Sequence, residues 1–432
     1  MKRSIGVHER PPMAQSLMLS LQHLFAMFGA TVLVPTILQV DPSICLLMNG
    51  IGTLIYILIT KGKIPAYLGS SFAFLGPAGA VIGSAATGGS YAAALGGFIV
   101  AGVIFSLVAF VVQIAGTGWL NVVFPPAAMG AIVAIIGLEL MPVAATWAGW
   151  LGTKPDGSET VIFNSQHIIL STATLAVTIL GSVLFRGFMK IIPILFGIIF
   201  GYGLAASMKL VKFAGLADAN WFQLPTFTAP EFHWSAIIAI APAALVVVAE
   251  HIGHLIVTGN IVGKDLSKDP GLHRSMLGNG ISTILSGFVG STPNTTYGEN
   301  IGVLAITRVY STFVIGGAAV IAILLSFFGK FSFLVTNIPQ PVMGGISLLL
   351  FGVIAASGFR MLVEAKVDYS KPTNLFLTTI VLVIGLSGVK LTIGDVSFGG
   401  MALATIVAIF VSLLFKVFEV LRISNDNDSA EH

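Results

Sequence analysis

The sequence predicts an all-α polytopic membrane protein with fourteen transmembrane spans in two inverted seven-span repeats, and with short extended segments in spans three and ten. Three observations predict it. Of 432 residues, 56% are hydrophobic and only 9% charged, whereas an ordinary soluble chain carries about 25% charge. Apolar runs recur along the whole length, many of them near the ~20 residues needed to cross a hydrocarbon core. Short motifs in spans one and five return in spans eight and twelve.

The elements follow in order. The stretch "MKRSIGVHERPPMAQ" is polar and has no small-residue cleavage site before the first apolar run, so no cleavable signal peptide is expected. The spans have approximate cores at 14–34, 42–60, 70–83, 91–114, 122–141, 165–185, 190–210, 234–259, 274–290, 297–307, 311–330, 338–357, 373–390 and 398–421. The third and tenth are short and broken by Gly or Pro. Counting both as crossings, with the N-terminus inside, places sixteen of the 21 Lys and Arg on the cytoplasmic side. Only Lys154, Lys209, Lys212, Lys330 and Lys390 fall outside. That is the positive-inside bias, and it makes both termini cytoplasmic. Cys45 is the single cysteine, which excludes a disulfide framework and a Cys-rich metal site. The net charge of +3 is scattered through loops and gives no nucleic-acid surface.

Span five opens "FPPAAMGAIVAIIGLEL" and span twelve "IPQPVMGGISLLLFGVI", so Pro125, Met129 and Gly130 align with Pro339, Met343 and Gly344. Span one contains "LSLQHLFAMFG" and span eight "VVVAEHIGHLIV", which aligns Gln22-His23 with Glu250-His251. Seven is odd, so the second copy runs through the membrane in the opposite direction. Inverted repeats with broken helices at the midplane are a mark of secondary transporters.

The repeat also accounts for the two short spans. Span three carries "SSFAFLGP" and span ten "TTYGENIG" at equivalent places. A helix from Glu299 to Ile306 rises only ~12 Å, so extended chain over 291–298 must supply the rest. Pro293 disfavours helix at the residue before it. Such backbone is tolerated at membrane depth only under cover of protein or beside a wet cavity. The two segments are expected to pair as a short antiparallel ribbon, with the half-helix N-termini and their partial positive charge at the midplane.

Three acidic residues lie inside apolar spans and away from the last turn, Glu139, Glu250 and Glu299. A charge at the bilayer centre is costly and marks function by default. Glu139 is near the end of its span and is expected to reach the interface. Glu250 and Glu299 are mid-span and are the candidates for ligand or proton work. His254 lies four residues after Glu250 on the same helix face, so the pair can carry a proton. His251, about 100° round, faces elsewhere. Gln22 and His23 are possible supporting residues from the matching first span. No HExxH pair, no GxSxG with a paired His and no partnered Cys nucleophile is present, so no enzyme is expected.

Glu299-Asn300-x-Gly302-x4-Thr307-Arg308 matches the signature of the nucleobase–ascorbate transporter family, and Gln22-His23 its short first-span motif. "KGKIPAYLGSSFAF", "AGTGWL", "AEHIGHL", "DPGLHRSM" and "GSTPNTTYGENIGV" resemble that family's bacterial uracil carriers in particular, over residues 6 to 422. The resemblance implies a core domain of spans one to four and eight to eleven (1–115 and 233–332). It implies a gate domain of spans five to seven and twelve to fourteen (116–232 and 333–424), with a polar tail at 425–432. It implies uracil import with protons across the bacterial cytoplasmic membrane, lipid around the spans, a homodimer formed through the gate, and no cofactor or metal. Phe72, Glu250, Tyr297, Gly298 and Glu299 would bind substrate, while Glu250, His254 and Glu299 would couple protons. Asn300 belongs to the motif as a supporting residue. Where uracil carriers have "LLLYG", this chain has "LLLFG", so Phe351 is a wall residue at most.

The chemistry agrees. Uracil offers N–H donors and C=O acceptors on a flat ring. Two ionised carboxylates only accept and suit the N–H groups; backbone N–H groups near Phe72 and Gly298 suit the carbonyls, and the Phe72 ring can cover the flat face. Two alternatives remain at this level. One is a purine (xanthine or urate) carrier of the same family. The other is a sulfate or bicarbonate exchanger of the same seven-plus-seven architecture, which would be expected to place cations or neutral donors, not two carboxylates, at the half-helix ends.

Overall fold

The computed structural model describes residues 4–152, 163–187, 189–211, 213, 215–394 and 396–424. The expected polar tail at 425–432, and Lys2, Arg3, Lys154 and Lys212 of the charge count, lie outside the described residues.

The first half contains helices α1 (Met13–Leu38), α2 (Pro42–Ile59), α3 (Leu75–Ile82), α4 (Tyr91–Ala115), α5 (Leu120–Val123), α6 (Pro126–Trp147), α7 (Ser165–Leu184) and α8 (Pro193–Ser207). The second contains α9 (Trp234–Val262), α10 (Leu272–Val289), α11 (Gly298–Thr307), α12 (Thr312–Ser326), α13 (Gly329–Thr336), α14 (Gln340–Glu364), α15 (Pro372–Leu386) and α16 (Gly400–Val420). Strands β1 (Leu68–Ser70) and β2 (Asn294–Thr296) form one two-stranded sheet, and β3 (Lys390–Ile393) and β4 (Val396–Gly399) another.

Local chemistry sets the helix starts. Asp41 caps α2 by accepting from the Ser43 N–H at 2.9 Å, and Ser90 caps α4 through the Ala93 N–H at 3.1 Å. Proline opens α6, α8 and α15, where its missing N–H costs nothing. Among the described residues, eight helices are long and apolar enough to cross a membrane: α1, α2, α4, α6, α7, α9, α14 and α16. This is a multi-pass, mostly helical membrane protein. Four shorter apolar helices accompany them, at Phe72–Ile82, Pro193–Ser207, Thr312–Ser326 and Pro372–Leu386.

Some differences from the sequence reading are local. The eleventh span, expected to run to 330, stops at Ser326, and a separate helix starts at Gly329. The thirteenth, expected to reach 390, stops at Leu386 and leads into the exposed β3 strand. Past Leu386 the chain reads Ser-Gly-Val-Lys, and Gly388 takes a left-handed turn at φ +72° that a helix does not continue.

The helices pack in two sets. α6 lies along α14, with α7 and α15 beside them, and α16 against α15. α4 lies along α10, and α2 packs on both α10 and α12, with α1 against α12. α9 runs between the sets, touching α4, α6 and α16.

The β1–β2 ribbon is wholly buried, antiparallel, and in register Leu68↔Thr296, Gly69↔Thr295 and Ser70↔Asn294. Buried unpaired backbone would be costly, and the neighbouring helices supply what two short strands cannot. Asn294 donates to the Met48 carbonyl at 3.2 Å and to Ser282 Oγ at 2.6 Å. Thr53 Oγ1 accepts from the Leu68 N–H at 2.9 Å, and Thr292 donates to Ser70 Oγ at 2.7 Å. This accounts for two of the buried polar residues of α10: Ser282, and Thr283, which donates to the Asn294 carbonyl and accepts from its N–H, both at 3.2 Å. Gly69 is required by close approach, because a Cβ there would strike the Tyr297 ring.

Outside the spans, Lys63 Nζ grips both oxygens of Asp269, at 2.6 and 2.7 Å, and that hydrogen-bonded ammonium holds the Asp269 carboxyl below its ordinary range.

Candidate functional site

A cleft of about 270 Å³ lies where the ribbon ends. Phe72 follows β1 directly, in a single 3-10 turn (Phe72–Phe74) that leads into α3. Tyr297, Gly298 and Glu299 follow β2 and begin α11. Neither N-cap residue, Ser71 or Tyr297, caps its helix start with its side chain. Glu250 and His254 come from α9, one turn apart. All six of these residues line the cleft.

Their fixings differ. His254 Nδ1 pairs with Thr296 Oγ1 at 3.0 Å, which ties the α9 face to the ribbon. Tyr297 borders the cleft, but its phenol donates to the Ser70 carbonyl at 3.1 Å and its backbone N–H to the Tyr67 carbonyl at 3.0 Å. Phe72 is 7% exposed, and its ring meets the Phe351 edge at 5.6 Å between centroids and 88° between planes.

The four supporting candidates lie outside the lining. Phe351, fully buried on α14, backs Phe72. Asn300 Nδ2 donates to the His23 carbonyl at 3.0 Å and lies 3.3 Å from His23 Nδ1, so those two join α11 to α1. Gln22 is half-buried on α1. His251 turns away from the cleft and pairs with Ser275 Oγ at 2.8 Å, which also contacts the Tyr56 hydroxyl at 2.6 Å.

Sequence reasoning missed the other wall. It is made by Val133 of α6 and by Val353, Ile354, Ser357, Arg360, Met361 and Glu364 of α14; Thr295 and Thr296 of the ribbon, Val257 and Ile261 of α9, and Ile301, Gly302 and Ala305 of α11 also line the cleft. Positions 357, 360, 361 and 364 are spaced as one helix face, but nothing in α14 alone says that this face meets the ribbon. Arg360 Nε lies 2.6 Å from Glu364 Oε1, an ion pair one turn apart. Among the described residues, no three His, Cys, Asp or Glu side chains converge as metal ligands.

The arrangement can hold a small flat polar molecule. Two carboxylates accept, two uncapped helix starts donate, and Phe72, Val133 and Ile354 give apolar cover.

The chain matches the permease family (Xan_ur_permease) over residues 14–394. It is 62% identical to a uracil permease of Paenibacillus larvae over 98% of this chain and 99% of that protein. It is 62% identical to a uracil permease of Escherichia coli K12 over 98% of this chain and 96% of that protein. Identity to the uracil permease of Bacillus subtilis is 46%, over 96% of this chain and 95% of that protein. These relatives are transporters, not enzymes. Among solved structures, SLC26A9 superposes with a TM-score of 0.68 at 11% identity, over 94% of this chain and 66% of that one. The transmembrane domain of the cyanobacterial bicarbonate transporter BicA gives 0.62 at 14% identity, over 93% and 96%. At such identities the likeness is one of fold.

Proposed function

This chain belongs to the permease family, and on that premise we propose that it imports uracil with protons across the bacterial cytoplasmic membrane. The observation that carries the reading is the cleft itself, with Glu250 and Glu299 both lining it beside Phe72 and two uncapped helix starts. The carboxylates accept from the ring N–H groups, backbone N–H groups donate to its carbonyls, and Phe72 covers its face. Glu250, His254 and Glu299, which line the same cleft, share the coupling proton.

Alternating access follows from two bodies. Residues 1–115 and 233–332 form a core held by the buried ribbon and by the α4–α10 and α2–α12 contacts. Residues 116–232 and 333–424 form a gate held by α6–α14, α7–α14 and α15–α16. The cleft between them takes Phe72, Glu250, His254, Tyr297 and Glu299 from the core, and Val133, Ile354, Ser357, Arg360 and Glu364 from the gate. In this reading fourteen spans cross as two inverted repeats, both termini face the cytoplasm, lipid surrounds the helices, and two chains meet through the gate. The 62% identities to uracil permeases support the substrate.

The fold likeness to anion transporters favours a second reading, anion exchange. Two carboxylates in the cleft argue against it, because they repel an anion. Competition decides among the substrates. Uptake of labelled uracil is expected to be blocked by excess unlabelled uracil, and not by xanthine or sulfate. Equal blocking by xanthine would make this a purine carrier, and blocking by sulfate an anion exchanger.

A further inference from the structure

Thr296 lines the cleft, and the proposed function gives it no role. It is 3% exposed and ends β2. The ladder fixes where its backbone points. The Tyr297 N–H donates to the Tyr67 carbonyl at 3.0 Å, and the Ser71 N–H to the Pro293 carbonyl at 2.8 Å. Bonds across an antiparallel pair join every second residue, so Thr296, opposite Leu68, turns its own N–H and carbonyl off the ribbon. On the other strand the Leu68 N–H does the same and meets Thr53 Oγ1 at 2.9 Å. On the Thr296 side the neighbour is α9. Thr296 Oγ1 lies 3.0 Å from His254 Nδ1, and the Thr296 backbone hydrogen-bonds the same ring.

These contacts decide how the ring is turned. The Thr296 backbone group that can serve a ring N–H is the carbonyl, since a carbonyl only accepts. The other nitrogen looks elsewhere: a Cβ placed on Gly298 would stand 3.4 Å from His254 Nε2. Gly298 opens α11, and the N-terminal end of a helix presents N–H donors and partial positive charge. A second donor is opposed there, and a lone pair is favoured. The neutral ring therefore carries its hydrogen on Nδ1, toward Thr296, and leaves Nε2 bare beside Gly298. The ionisable groups that share the cleft with His254 are Glu250 on the same helix, Glu299 on α11, and the Arg360–Glu364 pair on α14. His251 turns away to Ser275.

We propose that Thr296 is a positioning residue for proton coupling: it holds His254 with Nδ1–H bound to the ribbon, so that the coupling proton enters and leaves at Nε2 alone. The proposal rests on the proton-coupled reading above. On loading, Nε2 gains one proton and the ring becomes an imidazolium with both N–H bonds made. On release Nε2 loses that proton, and the Nδ1–H bond is untouched throughout. Thr296 thereby keeps the ring still while its charge changes, and exchange stays at the start of α11.

The test uses the full-length chain with its histidines labelled in heavy nitrogen and reads the imidazole nitrogens by NMR, the His254 signals being those that His254→Ala removes. The parent is expected to show a protonated Nδ1 and a bare Nε2 at neutral pH. That spectrum needs no further variant and stands even if the next one does not fold. Thr296→Val keeps the shape and removes the hydroxyl; it should show a mixture of the two tautomers, and Thr296→Ser should restore the parent pattern. In proteoliposomes with an imposed pH gradient, Thr296→Val should accumulate labelled uracil about tenfold more slowly, the worth of one hydrogen bond. Exchange of labelled for unlabelled uracil without a gradient, which needs no net proton movement, should fall far less, whereas a merely structural loss slows both alike. A parent ring protonated on Nε2, a Thr296→Val variant with the parent's nitrogen signals, or equal loss of both kinds of uptake overturns the proposal. A His254→Ala variant that accumulates uracil as the parent does removes the coupling reading instead, and the nitrogen signals still judge the positioning.

Discussion

Glu299 stands in the first turn of α11, where uncapped backbone N–H groups favour a carboxylate. In the proposed function its oxygens accept from the ligand. Glu299→Gln keeps the shape but can present an amide donor where an acceptor is needed. Uracil affinity is expected to fall by about 2–4 kcal/mol, the cost of a charge-assisted bond and an unpaired ligand donor. Calorimetry on the purified variant checks this, and affinity near that of the parent would take Glu299 out of the site. Glu250 and Glu299 were legible in the sequence because a charge within an apolar run is conspicuous. Arg360 and Glu364 were not, since a charged pair near the end of a long helix reads as an ordinary solvated turn; only the packing of α14 brings them to the cleft.

At the scale of elements, the ribbon is what places the two helix starts. Its short strands depend on side chains from α2 and α10, and Asn294 is the knot, with donors to Met48 and Ser282. Asn294→Ala leaves buried acceptors without their donor. We expect a stability loss of about 2–4 kcal/mol, seen as a lower unfolding temperature in detergent, with weaker uracil binding because α11 begins four residues later. A variant as stable as the parent would show that the strands hold themselves. The extended segments were legible from length and Pro293, since too few residues remained for a helical crossing. The β3–β4 hairpin and the short α5 were not. Four-residue elements carry too little periodicity to stand out, and their apolar residues merge with the neighbouring spans.

At the scale of the whole molecule, the repeated motifs order the chain. Pro125 opens α6 and Pro339 opens α14, and these two helices pack along each other. The matching pair of spans one and eight contributes differently: Glu250 and His254 of α9 line the cleft, while His23 of α1 holds Asn300 outside it. The alignment pairs these positions in sequence, and in the proposed function the chemistry falls to the α9 residues because they line the cleft. The claim that unites these scales is that substrate and proton meet around Glu250, His254 and Glu299. It is tested most directly by uptake of labelled uracil into proteoliposomes with and without an imposed pH gradient, acid outside, beside equilibrium binding to the same preparations. The account predicts gradient-driven accumulation by the parent and by His251→Ala, whose imidazole faces Ser275, and loss of that accumulation in His254→Ala with binding largely kept. A parent that does not respond to the gradient, or a His254→Ala variant that accumulates uracil as the parent does, would contradict it.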